Sequence, residues 1–242
     1  MELRVLSLYP EQMNIYADRG NILFLQRRCE WRGIGFLHAG AGPGEPVDPA
    51  AYDLFYIGGG QDRDQRAVAA DMVSTKQREL TAAADEGAVL LAVCGGYQLL
   101  GHRYRGHQGD DIPGTGLVDL ETVAGDTRLI GNVLVDCGGG RTMVGFENHA
   151  GRTWLGGGVQ PLGRVVAGAG NNGEDRTEGC RAERIVGTYV HGPLLPKNPW
   201  IADELIGHAL ARRDGGPLTP LDDALELRTA EGAATIARAE RR

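Results

Sequence analysis

The chain has 242 residues, 42% of them hydrophobic and 24% charged, with a formal net charge of -7, a balance ordinary for a globular protein with a sizeable core. With Lys76 and Lys197 as its only lysines it offers no basic tract for a nucleic-acid backbone or an anionic lipid surface. No apolar run approaches the roughly 18 residues that span a bilayer, and the N-terminus lacks a signal-peptide pattern, so a cytoplasmic location without membrane insertion is expected.

Leu3 to Tyr9 reads as a short apolar strand stopped by Pro10. From about Arg19 to Arg32 the residues Ile22, Leu25 and Cys29 share one helical face, with Asp18 placed to cap it and Gly33 to end it. Ile34 to His38 gives a second strand, and Leu54 to Ile57 a third that runs into Gly58-Gly59-Gly60-Gln61-Asp62. The spacing of Val68, Met72, Leu80 and Ala84 predicts one amphipathic helix over about 65–86, leading to an apolar strand at Ala88 to Val93. Strands alternating with helices at these lengths predict an α/β fold: a doubly wound, mostly parallel sheet with helices on both faces. The second half shows short strand-like segments near 116–121, 130–137, 143–147 and 163–167, separated by glycine turns. A further strand over Arg184 to Val190 delivers His191 into Gly192-Pro193. A helix follows at about 199–212 with Ile201, Leu205 and Ala209 inward, and then a helical tail over about 219–242. No linker or repeat divides the chain, so 1–242 is expected to form a single domain.

Sites in such sheets lie at the carboxyl ends of the strands, where Gly58 to Gly60, Cys94 and His191 all fall. Cys94 follows a strand buried on both faces and precedes Gly95-Gly96-Tyr97-Gln98, which fits the first turn of a helix. A thiol on such a turn sits among unpaired N–H groups, which can lower its pKa to about 3.5–7.5. The alternative is a buried structural cysteine. Cys29, Cys94, Cys137 and Cys180 are far apart and show no CxxC pairing, so neither a metal site nor a disulfide framework is indicated, and no GxxxxGK[ST] motif is present. A nucleophilic cysteine needs a base and an oxyanion site. His191 is the best base candidate, and the backbone N–H groups of Gly60 and Gly95 are the candidate oxyanion donors.

The Gly-Gly-Gly-Gln-Asp strand end, the Cys-Gly-Gly-Tyr-Gln turn and the late His-Gly-Pro resemble the class I glutamine amidotransferases, in the branch related to cobyric acid synthase. Three further stretches, Tyr16-Ala17-Asp18-Arg19-Gly20-Asn21, Gly145-Phe146-Glu147-Asn148-His149 and Arg128 ahead of a strand, resemble the glutaminase subunits of lipid II isoglutaminyl synthases. The resemblance implies a flavodoxin-like core and a heterodimer in which this chain hydrolyses L-glutamine. A Mur-ligase-like partner then uses the ammonia to amidate the D-glutamate α-carboxylate of lipid II, with ATP and Mg bound in the partner and no cofactor in this chain. It implies Cys94 as nucleophile, His191 as acid and base, and Gln98 and Arg128 as substrate-binding residues; Arg128 also reads as a surface arginine. It implies that Glu147, Asn148 and His149 line the site or the subunit contact, without a catalytic role.

Many relatives of this kind carry a glutamate two positions after the histidine, where this chain has Pro193. Either the enzyme works as a dyad or an acid arrives from elsewhere, and the expectation adopted is that the ligase partner supplies it. Two other readings stay open: an amidating subunit of cobyric acid or cobyrinate synthesis, and a non-catalytic glutamine-binding subunit.

Overall fold

The computed structural model describes residues 1–15, 18–107, 109 and 111–240; Tyr16 and Ala17, named above, and the last two residues of the expected helical tail lie outside the described residues. The first half runs β1 (Glu2–Leu8), α1 (Arg19–Glu30), β2 (Gly35–Ala41), β3 (Leu54–Ile57), α2 (Asp62–Asp71), a π-helical turn (Met72–Lys76), α3 (Gln77–Asp85), β4 (Val89–Val93) and α4 (Gly95–Leu99). The second runs β5 (Arg103–Arg105), β6 (Ile112–Pro113), β7 (Leu120–Asp136), β8 (Thr142–Leu155), β9 (Gly163–Ala167), β10 (Thr177–Glu178), β11 (Cys180–Ala182) and β12 (Ile185–Thr188). It ends with α5 (Leu194–Lys197), α6 (Pro199–Ala211) and α7 (Ala224–Glu240).

The α/β expectation holds in a six-stranded sheet of order β11-β12-β4-β3-β1-β2, parallel throughout except for the edge pair of β11 and β12. Every residue of β3, β4 and β12 is buried, as required of strands covered on both faces. β4 is thus a central strand, and the register brings its end beside the ends of β3 and β12.

Two expectations need correction. The helix predicted over about 65–86 starts earlier, at Asp62, where Gln61 and Asp64 form a capping box, and it is interrupted by the π turn. The wider turn rotates Lys76 inward. Its Nζ lies 2.5 Å from Asp71 Oδ2 and 4.7 Å over the Tyr9 ring, with Asp71 also accepting the Tyr9 hydroxyl at 2.7 Å. The segments predicted near 116–121, 130–137 and 143–147 are parts of a long antiparallel hairpin, β7 with β8. Pairing continues on either side of a register shift between Ala124 and Leu129. The solvent-facing Asp126, Thr127 and Arg128 fall there and interrupt the apolar pattern. This hairpin anchors a second sheet, β10-β9-β7-β5-β6 with β8 on β7, whose pairings are antiparallel apart from that of β5 with β7.

α7 lies on that second sheet with Ala234 and Ala237 buried. The segment leading into it is tied to α1 and α6 by Arg28, whose fully buried guanidinium contacts both oxygens of Asp203 at 2.6 Å and Asp223 at 2.6 Å. Removing the cation takes the shared partner from both carboxylates, with Arg32 remaining beside Asp203. Arg28→Met is therefore expected to lower stability by about 3 kcal/mol, read as a lower midpoint in urea denaturation. Among the described residues no helix is long and apolar enough to cross a membrane.

Candidate active site

At the end of β4 the chain reverses through Cys94, whose φ of 50° and ψ of -107° place a non-glycine residue in a strained conformation. The strain is held from both sides. The Cys94 N–H donates to Thr188 O at 2.8 Å, and its carbonyl accepts from Gln98 N at 3.0 Å. A methyl group on Gly96 would come within 2.6 Å of Ile57 Cγ2 and 2.8 Å of Gly58 O, so only glycine lets α4 start this close to the end of β3. The result is a sharp strand-to-helix turn that leaves the thiol in a cavity of about 480 Å³, lined by Gly60, Gln98, Arg128, Asn148 and His149 among others.

His191 is fully buried beside it. β12 ends at Thr188, short of the strand expected through Val190, and the His191 backbone instead pairs with Phe146 of β8. The imidazole Nδ1 lies 3.3 Å from Asp18 Oδ1, while Asp18 Oδ2 accepts the Gly59 N–H at 2.6 Å. Burial alone would pull the His191 pKa down. The negative charge of Cys94 and the hydrogen bonds and charge of Asp18 and Cys94 outweigh it and hold the imidazole above its usual range. Gly59 is the floor of this arrangement: a methyl there would meet His191 Cε1 at 2.8 Å and Asp18 Oδ2 at 2.9 Å.

Asp18 corrects two readings of the sequence. It stands at the head of α1 without capping it, because its carboxylate is turned to Gly59 and His191. It also fills the position facing His191 Nδ1 for which an acid from a partner was expected. The proline that replaces the usual acid has a packing reason of its own: Gly20 leaves room for Pro193, and a methyl there would lie 2.6 Å from Pro193 Cγ. Asn21 continues the contact, accepting Leu195 N at 2.9 Å and donating to Tyr56 Oη at 3.1 Å. The Asp-Arg-Gly-Asn stretch is thus the cradle of the His-Gly-Pro turn.

The other predicted residues converge on the same cavity. A methyl on Gly95 would fall 2.9 Å from Gly60 N and 2.8 Å from Gly60 O, so the two glycine backbones meet next to the thiol. Gly95 opens α4, where N–H groups have no intrahelical acceptor. Gln98 lines the cavity and donates to Tyr189 Oη at 3.0 Å. Arg128 lies within β7, not ahead of a strand, and is oriented by Asn148, to whose Oδ1 and backbone oxygen it donates at 2.8 and 2.9 Å. His149 stacks on Tyr189 with ring centroids 3.6 Å apart and contacts Gly151 O through Nδ1 at 2.7 Å. Burial pushes its pKa down to about 3, so the ring is neutral. Glu147 does not line this cavity; it lines a separate pocket that shares Arg128, and it accepts Ala169 N and Gly170 N at 2.6 and 2.8 Å. Asp18 and Tyr189 were not singled out for the site: Asp18 reads locally as a helix cap, and the histidine it faces is 173 positions away.

A cysteine on a strained turn, a histidine beside it and a carboxylate behind the histidine form an arrangement competent for nucleophilic acyl transfer. The profile of the CobB/CobQ-like glutamine amidotransferase domain matches residues 4–199. The chain belongs to the CobB/CobQ-like glutamine amidotransferase family. This amidotransferase is 39% identical over 219 residues to the Staphylococcus aureus lipid II isoglutaminyl synthase (glutamine-hydrolyzing) subunit GatD, covering 90% of this chain and 88% of that protein. Identity to the Streptococcus pneumoniae GatD subunit is 37%, covering 88% of this chain and 83% of that one. Cobyric acid synthase of Pelotomaculum thermopropionicum is more distant: 34% identity covers 54% of this amidotransferase and 27% of the synthase. The fold matches the PurLQS structure from Thermotoga maritima with a TM-score of 0.58 and 19% identity, over 88% of this chain and 97% of that one. It also matches a glutamine amidotransferase structure from the same organism with a TM-score of 0.54 and 15% identity, over 98% and 94%.

Proposed function

We propose that this amidotransferase is the glutaminase subunit of a lipid II isoglutaminyl synthase. The observation that carries the reading is its similarity to two GatD subunits over most of both chains. The site supplies chemistry suited to it. The Cys94 sulfur attacks the side-chain amide carbon of L-glutamine, and the backbone N–H groups of Gly60 and Gly95 receive the oxyanion. His191, kept protonated beside Asp18, gives its proton to the departing ammonia, leaving a glutamyl thioester on Cys94. The neutral imidazole then takes a proton from water, whose oxygen attacks the thioester, releasing glutamate and restoring the Cys94 thiolate beside protonated His191. Arg128 binds the substrate carboxylate and Gln98 steadies the cavity wall on the Cys94 side.

The partner in this reading is a Mur-ligase-like subunit that binds ATP and Mg and activates the D-glutamate α-carboxylate of lipid II, which the ammonia then amidates. The test is transfer of label from glutamine carrying ¹⁵N in its side-chain amide, using this chain and such a partner together. Label is expected in the D-isoglutamine of lipid II, and only when both chains are present. Amidation of a corrinoid carboxylate instead, or no transfer from glutamine, would overturn the assignment.

A further inference from the structure

β12 stops at Thr188, yet His191 lies three residues beyond it, so the backbone that carries the histidine to the cavity needs partners from outside the parallel sheet. One comes from the second sheet. Glu178 ends β10, is fully buried, and through Oε1 accepts both the Thr188 hydroxyl at 2.6 Å and the Tyr189 N–H at 2.9 Å. The same Thr188 hydroxyl oxygen accepts the Val190 N–H at 3.0 Å. One carboxyl oxygen thereby holds the connection between β12 and His191. The clamp also fixes Tyr189, whose hydroxyl joins Gln98 and Thr153 and whose ring stacks on His149.

We infer that Glu178 is a positioning residue of the glutaminase, holding the Thr188–Val190 segment so that His191 stays in line between Asp18 and Cys94. The inference rests on the glutaminase reading and extends it to a residue that does not line the cavity. It acts through a single acceptor atom: Oε2 has no hydrogen-bond partner among the described residues. Burial, with Glu147 adding to it, pushes the carboxyl pKa up to about 7 against the hydrogen bonds that favour ionisation. A neutral amide that keeps the acceptor is therefore a fair replacement, whereas an apolar side chain leaves the Tyr189 N–H and the Thr188 hydroxyl without it.

The test compares Glu178→Gln, Glu178→Leu and Thr188→Val in the full chain, with any partner that wild-type activity requires. Displacing a catalytic group by about 1 Å can lower a rate by about 10²-fold. For Glu178→Leu, kcat is expected to fall by about 10- to 100-fold with KM within about twofold, because Arg128, which binds the substrate carboxylate, is held by Asn148 and not by the clamp. Glu178→Gln is expected to stay within about threefold of wild type. Thr188→Val, which removes only the hydroxyl, should lose activity in the same kcat-only manner and serves if the leucine variant fails to fold. Amide exchange at Tyr189 and Val190 reads the clamp without reference to activity, faster in Glu178→Leu and unchanged in Glu178→Gln. Wild-type kcat in Glu178→Leu, or equal losses in the leucine and glutamine variants, would overturn the inference. Absence of Cys94-dependent glutamate release from the wild type would instead count against the glutaminase reading, and the exchange rates would still decide on the clamp.

Discussion

Cys94→Ala is expected to reduce glutamate release from glutamine by at least about 10³-fold while leaving the fold intact, since removing a nucleophile that acts as one unit with its base abolishes nearly the whole chemical contribution. The substitution deletes only the sulfur, and the backbone bonds of the turn, from Cys94 N to Thr188 O and from Gln98 N to Cys94 O, do not involve it. Cys137→Ala is the control: Cys137 is half-buried after the β7 strand and away from the cavity lining, so release should be unchanged. Coupled assay of glutamate with and without the partner, beside a circular dichroism melt, checks both. A Cys94→Ala variant that still turns over glutamine would return Cys94 to the structural role that the sequence left open.

Asp18→Asn carries the second large effect. Asparagine preserves the shape and can still accept the Gly59 N–H, but it withdraws the charge that faces His191 Nδ1. Replacing the orienting carboxylate of a related triad lowers kcat by about 10⁴-fold, and a loss of about 10²- to 10⁴-fold is expected here. The pH dependence has a definite sign. Burial lowers the His191 pKa, and Cys94 and Asp18 raise it above the usual range, so the protonated form that serves the leaving ammonia persists past neutral pH. Without the Asp18 charge His191 loses its proton at lower pH, and the basic limb of the kcat profile should move down by an amount limited by the Cys94 contribution that remains. An unchanged kcat and an unchanged basic limb would show that Asp18 is not the orienting acid, and would favour an acid delivered by the partner.

The parts of this site that were legible in the sequence are those written in adjacent residues. Cys94 between a six-residue apolar run and two glycines, Gly60 at a strand end and His191 before Gly-Pro each carry their backbone geometry in their neighbours. Asp18 was misread because its neighbours describe a helix start, and nothing local distinguishes a carboxylate that caps from one that crosses to a histidine 173 positions away. The presence of Pro193 drew attention to a missing acid, but its packing against Gly20 is a tertiary fact. In the same way the β7–β8 hairpin was divided by the polar Asp126 to Arg128 stretch, whose pairing depends on a partner strand and not on its own pattern. The π turn escaped because the contact that accompanies it, Lys76 against Asp71 and the Tyr9 ring, involves a residue just after β1, far away in the chain.

The most direct measurement is peptide mapping after reaction with a glutamine analogue bearing an electrophilic ketone in place of the side-chain amide, run on the chain alone and with its partner. A covalent adduct is predicted on Cys94, blocked by excess L-glutamine and absent from Cys29, Cys137 and Cys180. Modification that ignores glutamine or falls on another cysteine, or no adduct in either condition, would contradict the assignment of Cys94 as the nucleophile.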